Sequence, residues 1–140
     1  MRVTVSDTLP AEAKAIREAV FMEEQGFQNE FDDTDGVSRH LLLWEEGSAV
    51  GVCRVFPGET PGAWIFGRLA VLPPFRGRGF GAELLRASEE LVSAEGGRTL
   101  SLHAQCRAAG FYARLGYTEY GDVELDEGCP HIWMRKRLDE

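Results

Sequence analysis

Three glycines and two arginines lie close together in the segment "PPFRGRGFGAELL" at residues 73–85, directly before an apolar helical pattern. Glycine lets another group approach the backbone, and a helix start offers unpaired N–H groups and a partial positive charge. Together these features form an anion site, most often for a phosphate. The residues predicted to hold that phosphate are Arg76, Gly77, Arg78, Gly79, Phe80 and Gly81. The alternative is a turn that only joins a strand to a helix, because short glycine motifs are weak signals.

The predicted phosphate site does not match two common nucleotide-binding motifs. No Gly-Lys-Ser/Thr follows the loop, which excludes a P-loop. The spacing of Gly77, Gly79 and Gly81 lacks the late third glycine of the dinucleotide fingerprint. A phosphate-ligand enzyme such as a nucleotide hydrolase would need metal-binding carboxylates beside the loop, and residues 66–82 contain none.

Length and composition indicate one globular domain over residues 1–140, with 44% apolar and 27% charged residues. The net charge of −8 disfavours nucleic acid as a partner, since the phosphate backbone demands a basic surface. No apolar run is long enough to span a bilayer, and "MRVTVSDTLP" lacks the apolar stretch of a signal peptide, so we expect a cytoplasmic protein. The three cysteines, Cys53, Cys106 and Cys129, show no metal-ligand spacing, so we expect no metal and reduced, mostly buried thiols.

Hydrophobic periodicity predicts an α/β domain. Strands are predicted at 2–6, 40–44, 49–56, 63–71, 99–104, 117–125 and 131–138, and helices at 11–21, 79–95 and 108–116. The acidic segment 22–39 is predicted to be a long functional loop or a short broken helix. Because a strand, helix and strand in succession form a crossover, strands 63–71 and 99–104 are expected to be parallel. Antiparallel hairpins on either side complete a mixed sheet with helices on both faces.

Four segments in this order resemble one known family. "RLAVLPPFRGRGFGAELL" resembles the acetyl-CoA motif of the GNAT N-acetyltransferase superfamily, and "AQCRAAGFYARLGY" (104–117) resembles its second cofactor segment. "VFMEEQGF" (20–27) and "GCPHIWMRKRL" (128–138) are similar to the small ElaA- and YjcF-like members, and also to glyphosate N-acetyltransferase-like ones. The resemblance covers nearly the whole chain.

The resemblance implies the GNAT fold, a mostly antiparallel sheet whose one parallel pair splays apart. It also implies acetyl-CoA as the acetyl donor, with its pantetheine arm between the parted strands. The further residues that the resemblance assigns to the cofactor are Leu69, Ala70, Val71, Phe111 and Tyr112. The acceptor would be a small primary amine or an amino-acid-like molecule, and sheets of this type often pair as homodimers.

Direct acetyl transfer in a ternary complex needs a base for the amine and a donor for the leaving thiolate. The resemblance assigns the donor role to Tyr112, for which the alternative is a core aromatic. His131, at the head of the last strand, is the candidate base because imidazole titrates near neutral pH, and the alternative is a structural histidine. Glu24 or a water chain is the next candidate base. His40 is interpreted as structural or as part of a substrate wall, and His103 as a contact of the cofactor arm.

The resemblance places Arg68 and Gln105 near the centre of the active face, and they are assigned with Glu24 to the substrate side. Arg68 is a charge inside the apolar strand "IFGRLAV", so it needs an anionic partner, either a substrate carboxylate or an internal glutamate. Gln105 stands where some glyphosate-type relatives carry an arginine, which disfavours a doubly anionic substrate. The acidic residues of 22–39 are interpreted as a solvated charge run or as an attractor of a cationic amine. The competing function is a coenzyme A-binding sensor or partner module without turnover.

Overall fold

The computed structural model describes residues 1–139. Its seven strands are β1 (Arg2–Ser6), β2 (Arg39–Glu45), β3 (Ser48–Pro57), β4 (Ala63–Val71), β5 (Thr99–Gln105), β6 (Thr118–Asp126) and β7 (Cys129–Arg137). They form one sheet in the order β1-β2-β3-β4-β5-β7-β6. Only β4 and β5 are parallel, and the other neighbours are antiparallel. The predicted mixed sheet with one parallel pair is therefore confirmed.

Helices cover both faces of the sheet. They are α1 (Ala11–Arg17), a π-helical segment (Glu18–Glu24), α2 (Phe80–Ala94) and α3 (Ala109–Arg114), with 3₁₀ turns at Asp33–Val37, Pro73–Phe75 and Cys106–Ala108. One apolar core lies beneath α1, and a larger one lies beneath α2 and α3 on the opposite face. The segment 22–39 thus begins as a helix and continues as a loop with one 3₁₀ turn, which matches its interpretation as a broken helix. Within the described part of the chain, no helix combines the length and apolar character needed to cross a membrane.

The face of α2 follows the sequence pattern. Leu84, Leu85, Ser88 and Val92 are buried at spacings of one, three and four residues. Burying a leucine or valine side chain stabilises a fold by about 1.5–3 kcal/mol, so this face fixes the helix on the sheet. The glycine loop at the start of α2 is held in place as a result.

The parallel pair separates halfway along its length. β4 and β5 are paired only from Ala63 with Thr99 to Phe66 with Leu102. Beyond that point β4 continues beside β3, and β5 continues beside β7. The predicted parting of these strands is confirmed, and it opens a cleft in the sheet.

A β-bulge marks the place where β4 turns away. The register with β3 changes between the Arg54–Gly67 pair and the Val52–Ala70 pair, so two β4 residues oppose one β3 residue. Arg68 lies in this bulge with φ of 56°, in the left-handed region. Bulges redirect side chains and often lie beside functional sites.

The three cysteines are free, but only Cys53 is buried, so the expectation of mostly buried thiols is wrong. Cys106 begins a 3₁₀ turn and Cys129 begins β7, and both positions are half-exposed. Burial raises the pKa of Cys53 to about 12 and outweighs the hydrogen bond with Ser88. The buried thiol is therefore unreactive.

Candidate active site

The glycine loop reaches α2 through two residues in the left-handed conformation. Gly77 has φ of 78°, and Gly79, the N-cap of α2, has φ of 80°. A Cβ added at either position would meet no protein atom within 4 Å. A Cβ at Gly81 would approach Phe111 Cζ to 3.4 Å. The loop therefore needs glycine for its backbone and leaves open space beside Gly77 and Gly79.

The same loop leaves a set of backbone donors unpaired. The first amide of α2 that donates to a backbone carbonyl is Glu83, which bonds Gly79 O at 3.1 Å. Among residues 1–139, no acceptor takes the N–H groups of residues 77–82. Unpaired N–H groups at the positive end of a 15-residue helix suit an anion, and their number suits a pyrophosphate.

The two arginines of the loop are both ion-paired within the protein. Arg76 makes a bidentate pair with Glu24 at 2.7 and 2.6 Å, and its Nε donates to Val71 O at 2.8 Å. Arg78 bonds Glu45 at 3.0 Å. The hydrogen bond from Arg76 lowers the pKa of Glu24. Glu24 thus lies beside the glycine loop as the partner of Arg76, and it does not line the cleft.

The parting of β4 and β5 opens into a cleft of about 270 Å³. The predicted site residues that line it are Arg68, Leu69, Gln105, Phe111, Tyr112 and His131. Ala70 is buried in the core beneath α1, and Val71 packs against the core beneath α2. The structure therefore brings the two candidate catalytic residues into one cavity.

His131 is buried on the wall of this cleft. Its Nδ1 lies 2.8 Å from the carbonyl oxygen of Cys129. Because a carbonyl oxygen can only accept, Nδ1 carries the hydrogen, and Nε2 of the neutral ring holds the free lone pair. In the described part of the chain, Nε2 has no hydrogen-bond partner. This arrangement fixes the tautomer that a base requires.

Tyr112 lies deeper, 8% exposed, with Phe66, Phe111 and Tyr117 packed edge-on around its ring. Burial, reinforced by Cys53, raises the pKa of the phenol. The hydroxyl makes no hydrogen bond to any residue in 1–139. Tyr112 is therefore protonated at neutral pH and has a hydrogen to donate into the cleft.

Arg68 finds its anionic partner inside the protein. Its Nε lies 2.9 Å from Glu30 Oε2, and the guanidinium also donates to Glu30 O and approaches Asp32 at 3.4 Å. Burial lowers the pKa of Arg68, and the nearby Glu30 opposes this effect. Of the two partners that the sequence left open, the structure has the internal glutamate.

Glu30, which also lines the cleft, belongs to a buried ion network. Arg17, which is fully buried, bonds Glu30 at 2.9 Å and Asp35 at 2.8 Å, and Arg54 bonds Asp35 at 2.8 Å. Burial raises the pKa of Glu30, whereas the two arginines outweigh burial at Asp35 and lower its pKa to about 2. The interpretation of 22–39 as a solvated charge run is wrong for both carboxylates. The signal that could have revealed them is the presence of single arginines in apolar elements.

Gln105 is held by two neighbours. Its Nε2 donates to Gln25 Oε1 at 2.8 Å, and its Oε1 accepts from Arg107 Nε at 2.8 Å. His40, by contrast, lies away from the cleft, fully buried, and its Nε2 donates to Asp35 O at 3.0 Å. His40 is therefore structural.

One cleft residue carried no functional signal in the sequence. Glu127 occupies the β6–β7 turn with φ of 49°, and its carboxylate accepts the N–H groups of Gln28 and Asn29 at 2.9 and 3.0 Å. This contact joins the turn to the loop on the opposite side of the cleft. A single exposed carboxylate thus ties the β6–β7 turn to the 28–29 loop at the cleft wall.

A mixed sheet with one parted parallel pair, a glycine loop and flanking helices defines the acyl-CoA N-acyltransferase fold. A family model for the acetyltransferase (GNAT) domain matches residues 6–138. Bacillus subtilis YyaT, an uncharacterized protein, is 35% identical over 133 residues, which are 91% of this chain and 88% of that protein. The uncharacterized N-acetyltransferase YjcF of the same organism is 32% identical over 124 residues, 86% and 87% of the two chains. The crystal structure of Escherichia coli ElaA superposes with a TM-score of 0.85 at 25% identity, over 97% of this chain and 99% of that one.

The chain belongs to the GNAT family of acetyltransferases, enzymes that use acetyl-CoA. The resemblance to ElaA- and YjcF-like members is thereby confirmed.

Proposed function

We propose that the protein transfers the acetyl group of acetyl-CoA to the amine of a small molecule in a ternary complex, with His131 as the base and Tyr112 as the donor to the leaving sulfur. One observation carries this proposal: a single cleft, lined by both side chains, opens where β4 and β5 part. Bound acetyl-CoA would supply an acetyl thioester. The protein would supply binding, orientation and the two proton-handling groups.

The donor would be held by the residues of the glycine loop. The unpaired N–H groups of residues 77–82 would take the pyrophosphate, and the open space at Gly77 and Gly79 would admit it. The pantetheine arm would lie between the parted strands, beside Leu69 and Phe111. Because Arg76 and Arg78 are already ion-paired, the backbone rather than these side chains would supply most of the binding.

His131 would take a proton from the acceptor's ammonium through Nε2. The bond from Nδ1 to Cys129 O keeps that nitrogen free, and it also stabilises the ring once both nitrogens carry hydrogen. A neutral amine is the form that can attack a carbonyl carbon, so this proton transfer must precede the attack.

Tyr112 would donate a hydrogen bond to the sulfur as its negative charge develops. A thiol is a stronger acid than a phenol, and burial widens that difference. Stabilisation of the thiolate by hydrogen bonding is therefore favoured over full proton transfer from the tyrosine.

The acceptor would be an amine that does not rely on Arg68 to bind a second anionic group. The guanidinium of Arg68 is already bonded to Glu30 and approaches Asp32, so it has little capacity left for a substrate carboxylate. The hairpin side of the cleft carries Asp126 and Glu127, which favour a cation. These contacts support a small primary amine more than a dianionic amino acid.

The test is the pH dependence of kcat/KM in wild type and His131→Ala, measured with a panel of amines and detection of free coenzyme A thiol. In wild type kcat/KM should rise with pH across the range where imidazoles titrate. In His131→Ala this rise, the histidine limb of the pH profile, should disappear. The rate should instead increase in proportion to the hydroxide concentration. An alanine variant that keeps both the rate and the limb would place the base elsewhere. Absence of thiol release with every amine would favour the coenzyme A-binding module instead.

A further inference from the structure

A second histidine lies against the candidate base. His103 lines the same cleft from β5. Its ring centroid lies 4.9 Å from that of His131, with the planes tilted by 36°, and 4.7 Å from that of Trp133, with the planes at 19°. The ring is thus held between two others on the same face of the sheet.

The other edge of this ring faces Glu124. His103 Nε2 lies 3.4 Å from Glu124 Oε1 on β6, and among residues 1–139 that nitrogen is buried without a hydrogen bond. The His103 side chain is 28% exposed and that of Glu124 is 60% exposed, whereas His131 is buried. Solvent exposure therefore increases from His131 through His103 to Glu124, and the three groups form a path from the cleft to solvent.

The proposed reaction requires such a path. An ammonium and an acetyl thioester become an amide and a thiol: a C–N bond forms, the C–S bond breaks, and the nitrogen loses two of its three protons. One of these passes from the nitrogen of the adduct to the departing sulfur, which Tyr112 stabilises by a hydrogen bond. The other proton is surplus and is left on the base. Because His131 is buried, this proton needs a route out before the next turnover.

We propose that His103 and Glu124 carry this proton from His131 to solvent. The inference rests on the proposed function, since it takes His131 as the base. The proton passes from His131 to His103, directly or through one water, and then to Glu124, from which bulk water or buffer removes it. His103 changes charge only transiently, and no other reactant is required.

The charges around His103 suit an acceptor that is neutral at rest. Burial and the neighbouring His131 lower its pKa, while Glu124 and Asp126 on β6 oppose that shift. On β4, Arg68 lines the same cleft, but Glu30 neutralises it. On β5 itself the polar neighbours two residues away, Ser101 and Gln105, are uncharged. A neutral His103 can accept a proton, and the carboxylate beyond it draws that proton outward.

The experiment compares His103→Asn and Glu124→Gln with a matched control, Glu119→Gln. Glu119 lies on the same strand opposite Met134, so its substitution removes the same charge at a different place. We expect kcat to fall about ten-fold in His103→Asn and less in Glu124→Gln. This is below the roughly 100- to 10,000-fold loss typical of a general acid or base, because the relay acts only after the acetyl transfer. Added imidazole buffer should restore the rate of both variants and leave wild type and Glu119→Gln unchanged.

A second readout needs no acetyl-CoA. In the free enzyme, the NMR titration of the His103 ring should move to higher pH in His131→Ala, because the opposing charge is gone. Loss of rate in His103→Asn without rescue by imidazole, or equal losses in Glu124→Gln and Glu119→Gln, would overturn the relay alone. Full activity with an unchanged pH limb in His131→Ala would overturn the base assignment, and the relay with it.

Discussion

Replacement of Gly79 by alanine should affect both the stability of the fold and the affinity for coenzyme A. A control variant at a second glycine separates these two effects. Gly79 has φ of 80°, and a Cβ there meets no protein atom within 4 Å. Gly96, at the other end of α2, has φ of 87° and the same empty surroundings. Gly96→Ala is therefore a matched control, since both variants impose the same left-handed conformation on alanine.

The two variants should lose equal stability. An alanine in the left-handed region costs about 1–2 kcal/mol, and a less flexible unfolded chain offsets part of this cost, which leaves about 1 kcal/mol. In a domain of this size that loss lowers Tm by about 3 °C. Differential scanning fluorimetry should give similar values for Gly79→Ala and Gly96→Ala.

Coenzyme A binding should distinguish them. A methyl group at residue 79 would occupy the space beside the unpaired N–H groups and displace the pyrophosphate from at least one of them. A hydrogen bond to a charged group contributes about 1.5–3 kcal/mol, so Kd should rise about 10- to 150-fold in Gly79→Ala only. Isothermal titration calorimetry with coenzyme A measures this difference. If the two variants bind equally well, the pyrophosphate does not lie at the start of α2.

Two further predictions concern the cleft and the buried network. Tyr112→Phe should leave coenzyme A affinity unchanged by calorimetry and lower kcat about 10- to 10,000-fold, because the donor to sulfur is lost; full activity would make Tyr112 a packing residue. The lowered pKa of Asp35 stabilises the fold above its unfolded value near 4, and this contribution fades as pH falls toward 2. Asp35→Asn should therefore lower the free energy of unfolding by about 3–5 kcal/mol at pH 7, and the deficit should shrink by about 2 kcal/mol as pH falls toward 2. Urea titrations at pH 7, 4 and 3 test this, and a constant deficit would contradict it.

The parallel pair and the glycine loop could be predicted because their signals are local. A strand, a glycine-rich turn and a helix with a regular apolar face leave few ways to connect 63–71 to 99–104. Because these signals are local, they also predict the boundaries of β4 correctly and those of α2 to within one residue at each end.

The buried carboxylates could not be predicted in the same way. Glu30 and Asp35 lie in a segment of nearly uniform acidity, and their burial depends on arginines from α1, β3 and β4. Glu127 meets residues 28 and 29 almost a hundred positions away in sequence. Ion pairs and hydrogen bonds between residues so far apart in sequence produce no periodic pattern from which they could be predicted.

The early parting of β4 from β5 also has a mechanical consequence. Among residues 1–139, strand pairing between the β1–β4 half of the sheet and the half made of β5, β7 and β6 consists of four residue pairs. With so few paired residues, we expect the sheet to bend most easily along the β4–β5 boundary, which borders the cleft. The pantetheine arm of a bound donor would lie in this gap and bridge β4 and β5 where the two strands no longer pair. The sheet would then be more rigid with acetyl-CoA bound than without it.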